Sequence, residues 1–166
     1  GGVYMDTDVE VLKSFNPLLE AQCILGMEEK EYVATSFMAF EKGHPLVKEF
    51  LNLYEQLSFL DKKGQIIAGT NVAKLTKMLK EKGFVQENHY QELENGIQIY
   101  PKEFFSPYDY INCHYNITEN SYCVHYFAVS WMSKKEQVKK EIKKRIVKIL
   151  GPEKMNEIRE KLWKKN

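Results

Sequence analysis

The chain begins with GGVYMDTDVEVL (residues 1–12), and this stretch decides the fold because it places two carboxylates directly after a short apolar segment. Val3-Tyr4-Met5 predicts a short buried strand entered through Gly1-Gly2. Residues two apart on a strand project to the same side, so Asp6 and Asp8 would converge on one cation. Two hard carboxylate oxygens suit Mg²⁺ or Mn²⁺ together with a phosphorylated ligand. The bare pair also occurs often by chance as an acidic turn in a soluble domain.

The composition predicts a chain with one hydrophobic core. It has 166 residues, of which 43% are hydrophobic, and this length favours a single domain. The sequence contains no run of about eighteen apolar residues and no leader pattern, so it predicts neither a membrane span nor secretion. Three cysteines without a Cys-x-x-Cys spacing fit a reducing compartment. We therefore expect a cytoplasmic location, and the absence of Met at position 1 leads us to expect further chain upstream.

The charge is distributed unevenly along the chain. Residues 134–166 contain 13 Lys and Arg against 5 Glu, a net charge of +8, so residues 1–133 carry −7 of the total of +1. A basic helical tail docks on anionic lipid or on nucleic acid, and a solvated outer face is the simpler interpretation. Two interpretations of the basic segment stay open, a solvated face and peripheral contact with the inner face of a membrane, and we expect no nucleic-acid partner.

Apolar periodicity predicts strands and helices in mixed order. Alternating or continuous apolar segments predict strands at residues 22–25, 32–40, 97–100 and 122–125. Helical spacing predicts helices over about 44–57, 70–82, 134–150 and 152–164. Asn95-Gly96 is typical of a hairpin turn, and Gly83 is typical of a helix C-terminus. This order of segments indicates an α/β domain.

Two other families that use Asp-x-Asp fit the sequence poorly. A calcium loop of the EF-hand type requires a third acidic ligand followed by glycine, whereas this chain has Glu10 and Val11 there. A phosphatase of the haloacid-dehalogenase type requires further acidic ligands downstream, yet the remaining aspartates, Asp61 and Asp109, lie in no acidic cluster. A nucleotide-sugar transferase fits better, because a divalent ion held by such a pair neutralises charge on the leaving diphosphate.

The longer segment resembles a known signature. Residues 1–12 are similar to the motif of the DXD-containing sugar-binding glycosyltransferases (glycosyltransferase family 32), which include fungal initiating mannosyltransferases and bacterial transferases of capsule and lipopolysaccharide synthesis. Further similar segments follow in the family's order: NPLL at 16–19, FMAFEKGHP at 37–45 and HYFAVSW at 125–131. The resemblance covers most of residues 1–131 and does not extend into the lysine-rich helices.

The resemblance implies a fold, a reaction and a metal. The fold is of the GT-A type, and the reaction is a retaining transfer of a hexose from a UDP- or GDP-sugar to a glycan or a lipid-linked saccharide. The cofactor is Mn²⁺ or Mg²⁺. Asp8 would ligate the metal directly, Asp6 would reach the ribose or a water on the metal, and His125 would complete the metal shell. No carboxylate of the chain is an obvious nucleophile, which favours front-face attack by the acceptor.

The resemblance also implies substrate contacts. Gly2 and Tyr4 are predicted to lie at the donor, with Tyr4 near the nucleoside, and Ser130 and Trp131 resemble a loop that closes over the diphosphate. Asn71 departs from the family, in which many members have Gly-Pro nearby. It would either face the sugar or acceptor or act as the cap of a helix.

The resemblance divides the chain at residue 133. Residues 1–133 correspond to the metal, diphosphate and acceptor half of a catalytic domain, and residues 134–166 form a basic helical segment. The strands that bind the nucleoside in a GT-A domain precede Asp-x-Asp and are expected upstream of Gly1. The alternative is a non-catalytic fragment or degenerate paralogue that binds a partner or membrane through the basic segment.

Overall fold

A computed structural model describes residues 1–29, 32–55, 57–58, 70–109, 112–128, 133–151, 153–155 and 157. The strands are β1 (Gly2–Met5), β2 (Val9–Val11), β3 (Cys23–Glu29), β4 (Tyr32–Phe40), β5 (Gln91–Leu93), β6 (Ile97–Tyr100), β7 (Tyr108–Asp109), β8 (His114–Tyr115) and β9 (Cys123–His125). The helices are α1 (Pro45–Glu55), α2 (Asn71–Glu81), the single turn α3 (Lys102–Phe105) and α4 (Lys134–Leu150). Strands and helices are mixed along the chain, as the sequence predicts.

Five strands form a mixed sheet in the order β1-β4-β3-β6-β5. Strand β4 pairs antiparallel with β1 and with β3, whereas β3 pairs parallel with β6. Strands β5 and β6 form an antiparallel hairpin, and Asn95 and Gly96 adopt positive φ angles of 59° and 63° in its turn. The predicted hairpin is therefore confirmed. Two smaller sheets, β2-β9 and β7-β8, lie outside the main sheet.

Strand β1 lies at the edge of the sheet and is exposed. The prediction of a strand there is confirmed, but the prediction that it is buried is wrong. Val3, Tyr4 and Met5 are all exposed in the described part of the chain, because β1 pairs on one side with β4 and no described strand pairs with its other side. Three consecutive apolar residues predict burial only where the strand is covered on both faces.

The two faces of the sheet pack against different layers. On one face, Leu25 and Ile99 pack with Leu46 of α1 and Leu75 and Leu79 of α2. The apolar spacing of both helices produces this contact, because residues three or four apart share a helix face. Gly83 follows α2 with φ of 97°, so the predicted helix stop is confirmed. Two leucines of α1, Leu51 and Leu53, are exposed, although helical spacing predicts Leu51 as a core-facing residue.

The opposite face of the sheet is covered by aromatic loop residues. Phe37 of β4 stacks on Phe105 with ring centroids 4.1 Å apart, and Phe15 lies 5.0 Å from Phe37 on its other side. Tyr122 extends the same cluster. The residue alternation of β4 sends Phe37 and Ala39 to this face and Met38 and Phe40 to the helical face. The aromatic segment before β9 therefore forms core.

Three short strands and one long helix complete the described chain. Strands β2, β5, β7 and β8 were missed, because each has only two or three residues and these include charged or polar side chains. Helix α4 is confirmed over Lys134–Leu150, while most of the helix predicted for 152–164 lies outside the described residues. None of the described helices combines the length and apolar composition needed to cross a bilayer.

Candidate functional site

The two carboxylates lie in a turn directly after β1. The last paired residue of β1 is Met5, opposite Phe37, and the amide of Asp6 then donates to the carbonyl of Ser36 at 2.9 Å. The turn closes when the amide of Val9 donates to the carbonyl of Asp6 at 3.2 Å. Asp6 and Asp8 are therefore brought together by a turn, and the prediction that strand alternation aligns them is wrong.

Strand β9 fixes Asp8 in place. The pairing of Val9 with His125 sets β9 beside the turn, and the amide of Tyr126 donates to the Asp8 carbonyl at 3.0 Å. The amide of Ala128 then donates to Oδ2 of the Asp8 side chain at 2.8 Å. A carboxylate that accepts a backbone N–H has a defined orientation. One oxygen of Asp8 is thus held by the protein, and the other faces His125.

His125 lies against Asp8 in a nearly buried position. His125 is only 9% exposed, and its Nε2 lies 3.4 Å from Oδ1 of Asp8. Burial lowers the pKa of His125 below its ordinary value of 6.5, although the charges of Asp8 and Asp6 oppose this change. The imidazole is therefore predominantly neutral near pH 7, which is the form that ligates metals. Its Nδ1 is buried and has no hydrogen-bond partner among the described residues.

Tyr4 orients the second carboxylate. Its hydroxyl donates to Oδ1 of Asp6 at 2.8 Å, and this hydrogen bond, with smaller contributions from burial and from the Asp6 charge, raises the pKa of the phenol. The two residues are separated by one position along the chain, so the contact is local. Because Tyr4 is 53% exposed, its ring also remains accessible beside the carboxylate.

Three side chains form a set that fits a divalent ion. Asp6, Asp8 and His125 each offer one ligand atom, and these atoms lie within 4.8 Å of one another. Two carboxylate oxygens with one imidazole nitrogen suit Mn²⁺ and, less fully, Mg²⁺, which prefers oxygen ligands alone. Three protein ligands leave coordination positions open for water or for oxygens of a ligand. The neutral state of His125 also fits, because a protonated imidazole has no lone pair to donate.

The three side chains lie at the wall of a cleft of about 790 Å³. This volume is within the range of pockets that hold small molecules. Residues at the start of α2 and residues of β4 also line the cleft. Thr35 and Ser36 of β4 line the cleft and were missed by the sequence analysis; the only signal was an adjacent polar pair within an apolar strand. The Oγ of Ser36 is buried and has no hydrogen-bond partner among the described residues.

Asn71 lines the cleft at the first turn of α2. The prediction that it caps this helix is wrong, because the cap is Thr70, whose hydroxyl accepts from the amide of Ala73 at 3.2 Å. The side-chain carbonyl of Asn71 instead accepts from the hydroxyl of Tyr54 at 2.5 Å. This leaves the alternative in which Asn71 faces a ligand.

Gly2 is a predicted substrate residue that lies away from the cleft. Gly2, with φ of 139°, pairs with Phe40 and lines a separate groove of about 710 Å³ beside α1. The structure therefore does not bring Gly2 to the cleft of the aspartates. Ser130 and Trp131 lie outside the described residues. The chain that leads to them, Phe127 and Ala128, lines the cleft.

Comparison with known proteins gives one relative. The chain is 30% identical over 112 residues to lactosylceramide 4-alpha-galactosyltransferase of Mus musculus. The aligned residues are 68% of this chain and 29% of that protein, so the chain spans less than a third of the relative's length. No protein-family model matches the chain, and no solved structure matches it at a significant level. The chain is thus similar to part of a glycosyltransferase.

Proposed function

We propose that this chain is the metal-binding part of a GT-A-type glycosyltransferase that transfers a hexose from a UDP- or GDP-sugar to a glycan or lipid-linked saccharide. The observation that carries the proposal is the convergence of Asp6, Asp8 and His125 at the wall of the cleft. The mixed sheet and the similarity to a galactosyltransferase support it. A metal-binding cleft alone also fits hydrolases, and the similarity is what favours transfer of a sugar.

Each residue of the site has a role in this proposal. A divalent ion, when bound, would neutralise charge on the leaving diphosphate. Asp8 and His125 would hold the ion, since the Ala128 amide fixes one Asp8 oxygen and leaves the other toward His125. Asp6, oriented by Tyr4, would hold the ion, a water on it or the ribose. Preorganised ligands of this kind need no rearrangement at the moment of reaction.

The proposed stereochemistry is retention by front-face attack. The cleft wall contains Glu28 in addition to the two aspartates, and both aspartates are assigned to the metal. In front-face attack no carboxylate, Glu28 included, would bond to the sugar. The acceptor oxygen would bond to C1 as the C1–O bond to the diphosphate breaks, and an oxygen of the leaving diphosphate would take the proton of the acceptor hydroxyl. Trapping of a covalent glycosyl adduct on any Asp or Glu of the chain would contradict this mechanism. A product with inverted anomeric configuration, observed by NMR, would contradict retention.

The test of the proposed function is turnover of nucleotide sugars with Mn²⁺. Release of nucleoside diphosphate from UDP- and GDP-hexoses is compared for the parent, Asp8→Asn and a control, Glu92→Gln, on the exposed side of β5. We expect Asp8→Asn to lower the rate at least about 100-fold, because replacing a metal ligand costs more activity than replacing a residue that only supports a ligand. We expect the control to keep the parent rate. Equal rates in the parent and Asp8→Asn, or no release by the parent from any donor, would favour the non-catalytic alternative.

A further inference from the structure

Helix α4 presents an apolar stripe to solvent. The stripe consists of four aliphatic residues at helical spacing, whose exposed fractions are 56%, 52%, 41% and 81%: Val138, Ile142, Ile146 and Ile149. Spacings of four, four and three residues place them on one side of the helix. Scattered apolar residues on a surface are ordinary, but a contiguous row is typical of an interaction site.

The opposite side of α4 holds the helix on the body of the protein. Val147 is 5% exposed, and the ammonium of Lys140 donates to the carbonyl of Phe127, which lines the cleft. Positions 140 and 147 lie seven residues apart and so share one helix face. The face of α4 that carries Lys140 and Val147 is therefore turned toward the protein, and the stripe is turned away from it.

Basic residues surround the stripe. Helix α4 carries eight Lys and Arg against two Glu, a net charge of +6. Lys135, Lys139 and Arg145 lie within or beside the row of aliphatic side chains when the helix is viewed along its axis. Long cationic side chains can extend past an apolar stripe and keep their charges in a polar layer.

We propose that α4 docks this chain on a bilayer containing anionic lipid, with the stripe inserted at the level of the headgroups and the lysines on the lipid phosphates. This goes beyond transfer of a sugar and does not depend on it. Helices that lie in a membrane interface combine a narrow apolar face with a strongly basic polar face, as α4 does. Their affinity rises with both the buried apolar area and the charge.

The composition of α4 favours lipid over the other partners. Lysine is depleted in protein–protein interfaces, whereas α4 has seven lysines in seventeen residues. Nucleic-acid binding relies on cationic and polar contacts to phosphates, which leaves four exposed aliphatic residues without a role. Because Phe127 connects α4 to the cleft, docking in this way would also hold the cleft near the lipid surface.

The test is co-sedimentation of the full chain with vesicles. Vesicles of phosphatidylcholine alone are compared with vesicles of equal parts phosphatidylcholine and phosphatidylglycerol. We expect binding to the anionic vesicles only, weakening as salt is added. Neither metal nor nucleotide sugar is present, so the result is independent of the proposed transferase activity.

Two variants separate the contributions of charge and stripe. Lys135→Gln/Lys139→Gln/Arg145→Gln, which removes the three charges at the stripe, should lower the partition coefficient about 100-fold, at about fivefold for each charge. Ile142→Ser/Ile146→Ser should lower it at least about tenfold. The matched control is Lys48→Gln/Leu51→Ser on α1, where both residues are exposed, and it should bind as the parent does. Circular dichroism confirms that each variant is folded.

Four results would overturn the proposal. The first two are that the parent does not bind anionic vesicles and that it binds both vesicle types equally. The other two are that the stripe variant binds as the parent does and that the α1 control loses as much binding as the stripe variant. Dimerisation of the parent that is abolished in Ile142→Ser/Ile146→Ser, without vesicle binding, would assign the stripe to a second copy of the chain. Tight binding to duplex DNA without vesicle binding would assign the basic face to nucleic acid.

Discussion

The cleft and helix α4 depart in opposite directions from the usual distribution of residues. At the cleft, ionisable side chains are drawn inward, so that His125 is 9% exposed beside Asp8. On α4, aliphatic side chains face outward, and Ile149 is 81% exposed. Each arrangement costs free energy in an isolated protein unless a binding partner offsets it. This contrast is why we propose a partner outside the chain for each region, a cation at the cleft and a lipid surface at α4.

The largest expected effect tests whether the cleft rests on a rigid core. Phe37→Ala removes a ring that stacks on Phe105 beneath the carbonyl of Ser36, to which the Asp6 amide is bound. We expect the free energy of unfolding to fall by about 3–5 kcal/mol, measured by urea denaturation. The exposed Leu51→Ala is the control and should change it by less than about 0.5 kcal/mol. A small effect of Phe37→Ala would show that β4 is loosely packed beside the cleft.

The next effect tests the two faces of α4. Val147→Ala, on the buried face, should lower the free energy of unfolding by about 1–2 kcal/mol, whereas Ile149→Ser, on the stripe, should change it by less than about 0.5 kcal/mol. Thermal or urea denaturation of both variants measures the difference. If Ile149→Ser is the more damaging of the two, the stripe is covered by the protein itself, and the contrast with the cleft disappears.

A smaller effect tests the orientation of Asp6. Tyr4→Phe removes only the hydroxyl that donates to Oδ1 of Asp6. We expect the affinity for Mn²⁺ to fall about twofold to tenfold, the equivalent of one exposed hydrogen bond, when measured by calorimetric titration. Tyr90→Phe, an exposed tyrosine that does not line the cleft, is the matched control. A Tyr4→Phe affinity equal to that of the parent would remove Tyr4 from the site.

The smallest effect is a pH dependence of the metal-free protein. Burial lowers the pKa of His125 in the folded state, with partial opposition from Asp8 and Asp6. As the pH falls through about 6.5, the unfolded chain binds the proton first, so the contribution of His125 to stability is complete above this pH and is lost below it. Urea denaturation in the presence of a chelator should show a steeper loss for the parent than for His125→Gln. A steeper loss for His125→Gln would contradict the direction of the pKa change.

The fold was predictable where periodicity is long. Helices α1, α2 and α4 and strands β3, β4 and β6 follow from the spacing of their apolar residues, and β9 lies within the strand predicted at 122–125. The short strands β2, β5, β7 and β8 were missed, since each has two or three residues that include charged or polar side chains. The exposure of β1 was also missed, because whether a strand lies at an edge depends on the order of strands in the sheet, which a local segment does not encode.

The candidate site was predictable in part. The Asp-x-Asp pair and His125 were singled out from the sequence, and the structure brings their ligand atoms together. The way His125 reaches the aspartates was not predictable, because it depends on the pairing of β2 with β9, more than 110 residues apart in the chain. The contacts from Ala128 to Asp8 and from Tyr54 to Asn71 depend on the same kind of distant packing.

The most direct measurement of the central claim is the binding of Mn²⁺ to the parent and to Asp8→Asn, followed by the loss of the free-ion EPR signal. We expect the parent to bind one ion and Asp8→Asn to bind it at least about 100-fold more weakly. Glu92→Gln, remote from the cleft, should bind as the parent does. Equal binding by the parent and Asp8→Asn, or no binding by the parent, would contradict the assignment of Asp6, Asp8 and His125 as a metal site.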